Sequence, residues 1–398
     1  MVTVQQAKKL LANKVISLEP IYLNLEAALG HIIAEDISTP IDLPPFTSSA
    51  MDGYAISLSD INRIDSVKLR ISGEVKAGNS NTLRVKEGCA IKIYTGAPIP
   101  IGADRVVIQE NTQQIHNHVI IKVIPKENEN IRWQGEEIKK GKKVINKGIL
   151  INPGTIGFLS VMGISKIKVI RKPRVYLIVT GNELVNPGDI LEPGQVYDSN
   201  SFAISSALKE MGIDDIKLVR KKDNFKAIER IFKKAVIESD MIIFTGGVSV
   251  GKYDYVREFL DNVRYETVFY KVEQKPGKPL YLGKYKKKVI FGLPGNPVSS
   301  IVCFYEYVYP ALRKMMGHSH IYLEEKSLPL LKTIKNKDDK VNFLSGSVSR
   351  GSVMPLQNQK SHMLSSFAKA NCLIVVPKYR KILKKGENVK VHILPSII

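Results

Sequence analysis

Residues 175–183 read Val175-Tyr176-Leu177-Ile178-Val179-Thr180-Gly181-Asn182-Glu183, an unbroken apolar run that ends in a polar turn. Such a run, too continuous for one wet face, predicts a strand buried on both sides of a sheet. The pattern recurs. Met241 to Phe244 runs into Thr245-Gly246-Gly247, and Val289 to Phe291 runs into Gly292 and Pro294-Gly295-Asn296-Pro297. Between these runs, helical spacing is expected over Asn200 to Met211, stopped by Gly212, and over Phe225 to Ile237. A further strand is expected near Ile216 to Val219. Asn296 stands where a helix cap is needed, and Pro297 suits a first helical position. Buried strands alternating with helices predict an α/β domain over 173–317, built on an open, mostly parallel sheet.

Outward from that domain the pattern changes. Val2 to Lys14 has helical spacing, with Val4, Ala7, Leu10 and Leu11 on one face. A second helix is expected over Leu25 to Ala34. Thr39-Pro40 to Pro44-Pro45-Phe46 marks a change of unit. Ala55 to Val123 reads as short strands between Gly and Asn turns. Gly135 to Ile151 connects onward, and Arg171-Lys172-Pro173-Arg174 is the clearest boundary. After Gly317 the helical signal fades, and Leu328 to Leu394 predicts a small β-domain of barrel type.

Composition narrows the function classes. The 398 residues carry 59 Lys and Arg against 38 Asp and Glu, a net charge of +21. The cations are spread along the chain, with one denser run from Lys284 to Lys288, and no nucleic-acid-binding motif accompanies them. A solvated basic surface that concentrates small anions is expected, not a specific nucleic-acid interface. Cys89, Cys303 and Cys372 show no paired spacing, which argues against a disulfide framework or a cysteine-only zinc site. His116 with His118, and His318 with His320, are expected in exposed loops. Apolar stretches are broken well short of a membrane span, and no signal peptide is legible, so a cytoplasmic protein is expected.

Chemistry is expected where parallel strands end, because ligands bind open sheets beyond their carboxyl edges. Three strand-end loops carry unusual residues: Thr180-Gly181-Asn182-Glu183, Thr245 to Gly251 followed by Tyr253-Asp254-Tyr255, and Leu293 to Ser299. Glycines there let backbone N–H groups approach an anion. A fourth loop, Lys275-Pro276-Gly277-Lys278-Pro279, adds two cations, while Glu183 and Asp254 are candidate holders of a divalent metal. The N-terminal region contributes Pro45 to Ala55 around Asp52, Thr95-Gly96-Ala97-Pro98 and Gly135-Glu136-Glu137.

Taken together and in order, these segments resemble the MoeA family, which includes the E domain of gephyrin. The resembling stretches are Pro45–Tyr54, Thr95–Pro98, Gly135–Ile138, Thr180–Leu184, Tyr197–Asn200, Gly246–Tyr255, Lys275–Pro279, Gly292–Ser299 and Ala370–Pro377. The resemblance implies a multidomain α/β protein. Residues 1–44 with 131–172 would form a linking domain, 45–130 a β-rich domain, 173–317 a MogA-like molybdopterin-binding domain, and 318–398 a β-barrel. It implies a molybdopterin molybdenumtransferase that uses magnesium, takes adenylylated molybdopterin and molybdate, and releases AMP. It also implies a homodimer with composite clefts, and contact with the molybdopterin adenylyltransferase. Asp52, Thr95, Glu137, Glu183 and Asp254 would be catalytic. Gly246, Gly247 and Ser249 would cradle phosphate, Lys275 and Lys278, around Gly277, would neutralise it, and Thr180 and Gly181 would bind substrate. Pro294, Gly295, Asn296, Pro297 and Ser299 would shape the pterin pocket. Glu137 stands where the family more often has Asp. The gephyrin likeness leaves a second reading open: a molybdopterin-binding scaffold without turnover.

Overall fold

The computed structural model describes residues 1–57, 67–79, 83–221, 225–246 and 265–395. Contacts group the chain into two compact units, one of Met1–Ala34, Gly148–Asn152 and Lys166–Ile398, the other of Glu35–Lys147 and Pro153–Ser165.

In the first unit the sheet order is Ile216–Lys221, Val175–Thr180, Met241–Thr245, Lys288–Leu293, Tyr281–Tyr285, Glu266–Tyr270. The first four strands are parallel, and the last two are added antiparallel. The apolar runs are continuous because both faces are covered. Leu177, Ile243 and Phe291 enter one core, whereas Tyr176, Ile178, Ile242, Phe244 and Ile290 enter the other. The helix Phe225–Glu238 supplies Ile228, Phe232 and Ala235 to the second core, and Phe232 stacks on Phe244 at 6.1 Å. Each fully buried Ile or Phe side chain among these contributes about 1.5–3 kcal/mol.

The N-terminal helix Val4–Lys14 opens with a capping box between Thr3 and Gln6 and buries Ala7 and Leu11 in the first core. The expected second helix is a correction. Leu25–Ala27 forms a single 3-10 turn, Gly30 adopts φ +74°, and Ile32–Ile33 pairs as a strand with Lys166–Ile170. The left-handed glycine ends the turn, and the β-branched pair gains ladder hydrogen bonds that a helix would not give it. Asn296 precedes the helix Pro297–Cys303 as expected, but its side chain donates to Ser361 Oγ and caps nothing.

C-terminal residues form a mixed sheet in the order Gln274–Lys275, Val341–Ser349, Cys372–Val376, Asn388–Ile393, Glu325–Pro329. Its first strand is therefore lent by the α/β region. The second unit holds a six-stranded sheet, ordered Arg105–Ile108, Gly53–Ile56, Cys89–Ile93, Val67–Val75, His118–Ile121, Thr112–Ile115. His118 thus opens a strand and does not lie in a loop. Among the described residues, no helix is long and apolar enough to cross a membrane.

Glu306 is an acid buried to 1% exposure, within a π-helical turn spanning Phe304–Val308. Lys8 Nζ donates to it at 2.5 Å and His392 Nδ1 at 2.6 Å. Burial alone would raise its pKa, but the Lys8 charge and the His392 hydrogen bond outweigh burial and hold it below the usual carboxylate range. A depressed carboxyl contributes stability above the unfolded pKa and loses it as pH falls through the folded one. Glu306→Gln should therefore cost roughly 3 kcal/mol at neutral pH, because two donors lose their charged acceptor. The difference from wild type should shrink as the pH falls through the lowered pKa of Glu306, where the carboxylate itself takes up a proton. Urea unfolding across pH, followed by circular dichroism, measures both. A constant difference at all pH values would refute this account.

Candidate functional site

In the first unit the carboxyl ends of three parallel strands converge. The strand Met241–Thr245 passes into Gly246, whose φ is +90° and whose N–H donates to Leu293 O at 3.3 Å. A Cβ there would lie 2.3 Å from the carbonyl oxygen of Thr180, so only glycine lets these two strand ends meet. Gly295 follows closely, since a Cβ built on it would be 3.8 Å from Gly246 Cα. Asn200, at the start of the helix Asn200–Glu210, ties the cluster together. Its Nδ2 donates to Thr245 Oγ1 and to Gly295 O, both at 2.8 Å. Asn200 lies in a stretch that carries the resemblance, yet it was not singled out as a site residue. Its signal was position alone, an amide side chain opening a helix beside strand ends. Behind it Asp198 is buried, accepts from Ser201 N at 3.0 Å and pairs with Arg220 Nε at 2.8 Å, which fixes that helix start.

Thr180 is 3% exposed, and its Oγ1 has no hydrogen-bond partner among the described residues. A buried hydroxyl beside Gly246 offers a ligand both a donor and an acceptor. Gly181 turns away into Glu183, whose carboxylate is exposed and makes no ion pair among the described residues. Gly247, Ser249 and Asp254 lie outside the described residues. Among the described ones, no group of three or more His, Cys, Asp or Glu could hold a metal. Glu183 nonetheless suits magnesium, a hard cation that takes one or two carboxylates together with substrate phosphates.

The Lys275-to-Pro279 loop divides its two cations. Lys275 Nζ is engaged by Asp338 at 2.8 Å, an exposed pair across to the C-terminal sheet. Lys278 is exposed and has no ion pair among the described residues. Gly277 packs against Cys303, whose thiol is fully buried, and burial holds its pKa well above the usual thiol range. Of the Pro294-to-Ser299 loop, Pro294 and Ser299 are buried while Gly295 and Asn296 face solvent. Pro297 begins its helix, and Val298 N donates to Ser361 O at 3.0 Å.

In the second unit Asp52 and Thr95 are brought together by the pairing of Gly53–Ile56 with Cys89–Ile93. Thr95 donates twice to Asp52 Oδ1, from its backbone N and from Oγ1, each at 2.7 Å. The backbone bond, then the hydroxyl bond, lowers the Asp52 pKa below the usual carboxylate value. Oδ2 accepts no hydrogen bond among the described residues, so a fixed negative charge is left with one oxygen open to a ligand. Gly53 is required here too, because a Cβ would lie 1.8 Å from Val107 O. Glu137 is exposed, with its backbone N bonded to Leu43 O at 3.0 Å.

Family models match nearly the whole chain: the MoeA N-terminal region (domain I and II) over residues 2–163, a probable molybdopterin binding domain over 176–314, and the MoeA C-terminal region (domain IV) over 327–394. A curated molybdopterin molybdenumtransferase of Haemophilus influenzae is 36% identical, covering 98% of each chain. One of Staphylococcus epidermidis is 35% identical, over 99% of this chain and 96% of that one. Among solved structures, a molybdopterin biosynthesis MoeA protein of Pyrococcus horikoshii superposes with a TM-score of 0.86 at 30% identity, covering both chains entirely. A multidomain α/β architecture with a β-rich C-terminus, a full-length match and convergent strand-end loops lead to one conclusion: the chain belongs to the MoeA family and is a transferase of molybdenum cofactor biosynthesis.

Proposed function

We propose that the chain inserts molybdate, or tungstate, into adenylylated molybdopterin and releases AMP. The observation that carries this reading is the meeting of Thr180, Gly246 and Gly295 around a buried hydroxyl that has no partner among the described residues. Glycine turns let the backbone approach an anion closely, and the Thr180 hydroxyl, without a partner among the described residues, is a donor suited to a phosphate oxygen. Lys278 supplies the uncommitted cation. Glu183 and Asp254 would hold magnesium, which when bound screens phosphate charge and stabilises the leaving oxygen. Water adds to one phosphorus as the P–O–P bridge of the substrate breaks, AMP departs, and the two dithiolene sulfurs displace one oxo ligand of the oxyanion, which leaves as water with the two thiol protons. Asp52, kept ionised by Thr95, supplies a fixed carboxylate for the insertion step, with Glu137 as a longer-armed companion. A scaffold without turnover does not require Asp52 to be held charged and open, so the catalytic reading is preferred.

The same proposal includes a cytoplasmic homodimer supplied by the molybdopterin adenylyltransferase, and the division into linking, β-rich, molybdopterin-binding and C-terminal β-barrel domains. Mixing purified protein with adenylylated molybdopterin, magnesium and molybdate tests the reaction. AMP release coupled to metal incorporation is expected, and binding without AMP release would instead favour the scaffold.

Lys278→Ala should weaken molybdopterin binding about tenfold, the worth of one charge-assisted contact. Lys275→Ala should have a smaller effect, because Asp338 already engages that ammonium. Calorimetry ranks the two, and equal losses would contradict the assignment.

Assembly has its own test. Asp52→Ala and Asp254→Ala proteins, each inactive, are mixed and allowed to exchange subunits. If one subunit supplies Asp52 to the other's loops, each mixed dimer regains one intact site and about half of the wild-type activity. A site built within one chain regains none.

A further inference from the structure

The Gly-rich loops use only one end of the central sheet. At the other end, where Val175–Thr180, Met241–Thr245 and Lys288–Leu293 begin, lies a cavity of about 530 Å³. That volume falls within the range of small-molecule sites, about 300–1,000 Å³. Four cations and two carboxylates line it.

Both carboxylates are engaged by a single cation. Arg171 grips Asp240 with two hydrogen bonds, at 2.6 and 2.8 Å, and its Nε donates to Glu19 at 2.8 Å. Asp240 also accepts from Arg174 N at 2.9 Å. Its pKa falls to about 2, because the Arg171 hydrogen bonds and neighbouring charges outweigh the burial that would raise it. The carboxylate is therefore a neutralised floor. Lys288 has a structural task, since its Nζ donates to Ser239 O just beyond the helix Phe225–Glu238.

Two cations are held more loosely. The Arg174 side chain is 46% exposed and reaches the shared Asp240 only at 3.5 Å. Lys287, in the dense lysine run that the substrate loops do not use, is exposed and has no ion pair among the described residues. Facing them in the same cavity are Leu18 and Ile16, the latter 46% exposed. A concave site that pairs loosely held cations with an apolar wall suits a ligand with an anionic end and an apolar body.

We propose that this cavity is a second ligand site, at the sheet end opposite the substrate loops, for a nucleotide-sized phosphomonoester whose phosphate bridges Arg174 and Lys287. Its ring system lies against Ile16 and Leu18. The site stands apart from the transfer reaction, and its occupancy does not depend on Thr180, Gly246 or Lys278.

Calorimetry on the full chain, with adenosine 5′-monophosphate as the probe, tests this. The double variant Arg174→Gln/Lys287→Gln removes two exposed cations, and circular dichroism verifies its fold. The probe also resembles the proposed product, so Lys278→Ala marks binding at the substrate loops. The expected result is a binding event that persists in Lys278→Ala and weakens at least about tenfold in the double variant. Ile16→Asp should weaken it too, and inorganic phosphate should bind less tightly than the nucleotide. Undiminished binding in the double variant overturns the proposal. So does loss of all binding in Lys278→Ala, or a site that answers only to a long polyanion such as heparin.

Discussion

The buried Glu306 carboxylate is the fastening on which the first unit depends. An ionised carboxylate in a protein interior is strongly unfavourable unless it is paired and hydrogen-bonded. Here Lys8 arrives from the N-terminal helix and His392 from the last strand of the chain, while Glu306 itself belongs to the helical layer of the α/β region. A carboxylate only accepts, so the His392 Nδ1 facing it carries the proton. The charge is tolerated only when all three segments are in place, so the pairing selects one arrangement of elements far apart in sequence. Tyr307, next in the chain, repeats the device by donating to Gln274, which sits in the strand lent to the C-terminal sheet. Two adjacent side chains thus join the N-terminal helix and the C-terminal sheet to the same core.

That fastening frees the carboxyl edge of the sheet from any stabilising duty. Strand ends there close on one another through Gly246 and Asn200, with little side-chain bulk and with the Thr180 hydroxyl unpartnered among the described residues. The amino edge is the opposite case, crossed by the Arg171–Asp240–Glu19 network and made rigid by it. A sheet with one ion-paired edge and one glycine-lined edge holds a preorganised site at the second without losing stability.

The net charge of +21 is a composition-level fact whose meaning is local. Many cations are engaged: Lys8 by Glu306, Lys275 by Asp338, Arg220 by Asp198 and Arg171 by two acids. Lys278 and Lys287, which have no ion pair among the described residues, and Arg174, which reaches Asp240 only at 3.5 Å, are those that can meet an anion. Surface pairs contribute little stability, so their value lies in deciding which cations remain free.

Sequence alone determined the strand-and-helix alternation of residues 173–317, because buried strands and amphipathic helices write different periodicities along the chain. It also located the strand-end loops, because glycine and proline mark turns. It misread Leu25 to Ala34, where pairing with Lys166–Ile170 gave Ile32 and Ile33 ladder bonds that no local pattern announces. It found Asp52 and Thr95 separately but not the two hydrogen bonds between them, which depend on strand register across more than forty residues. Nor did it show that Asp338 engages Lys275, or that Asn200 ties two strand ends. Periodicity is local and survives in one dimension. Which donor meets which acceptor is a distance in space, and only the tertiary structure decided it.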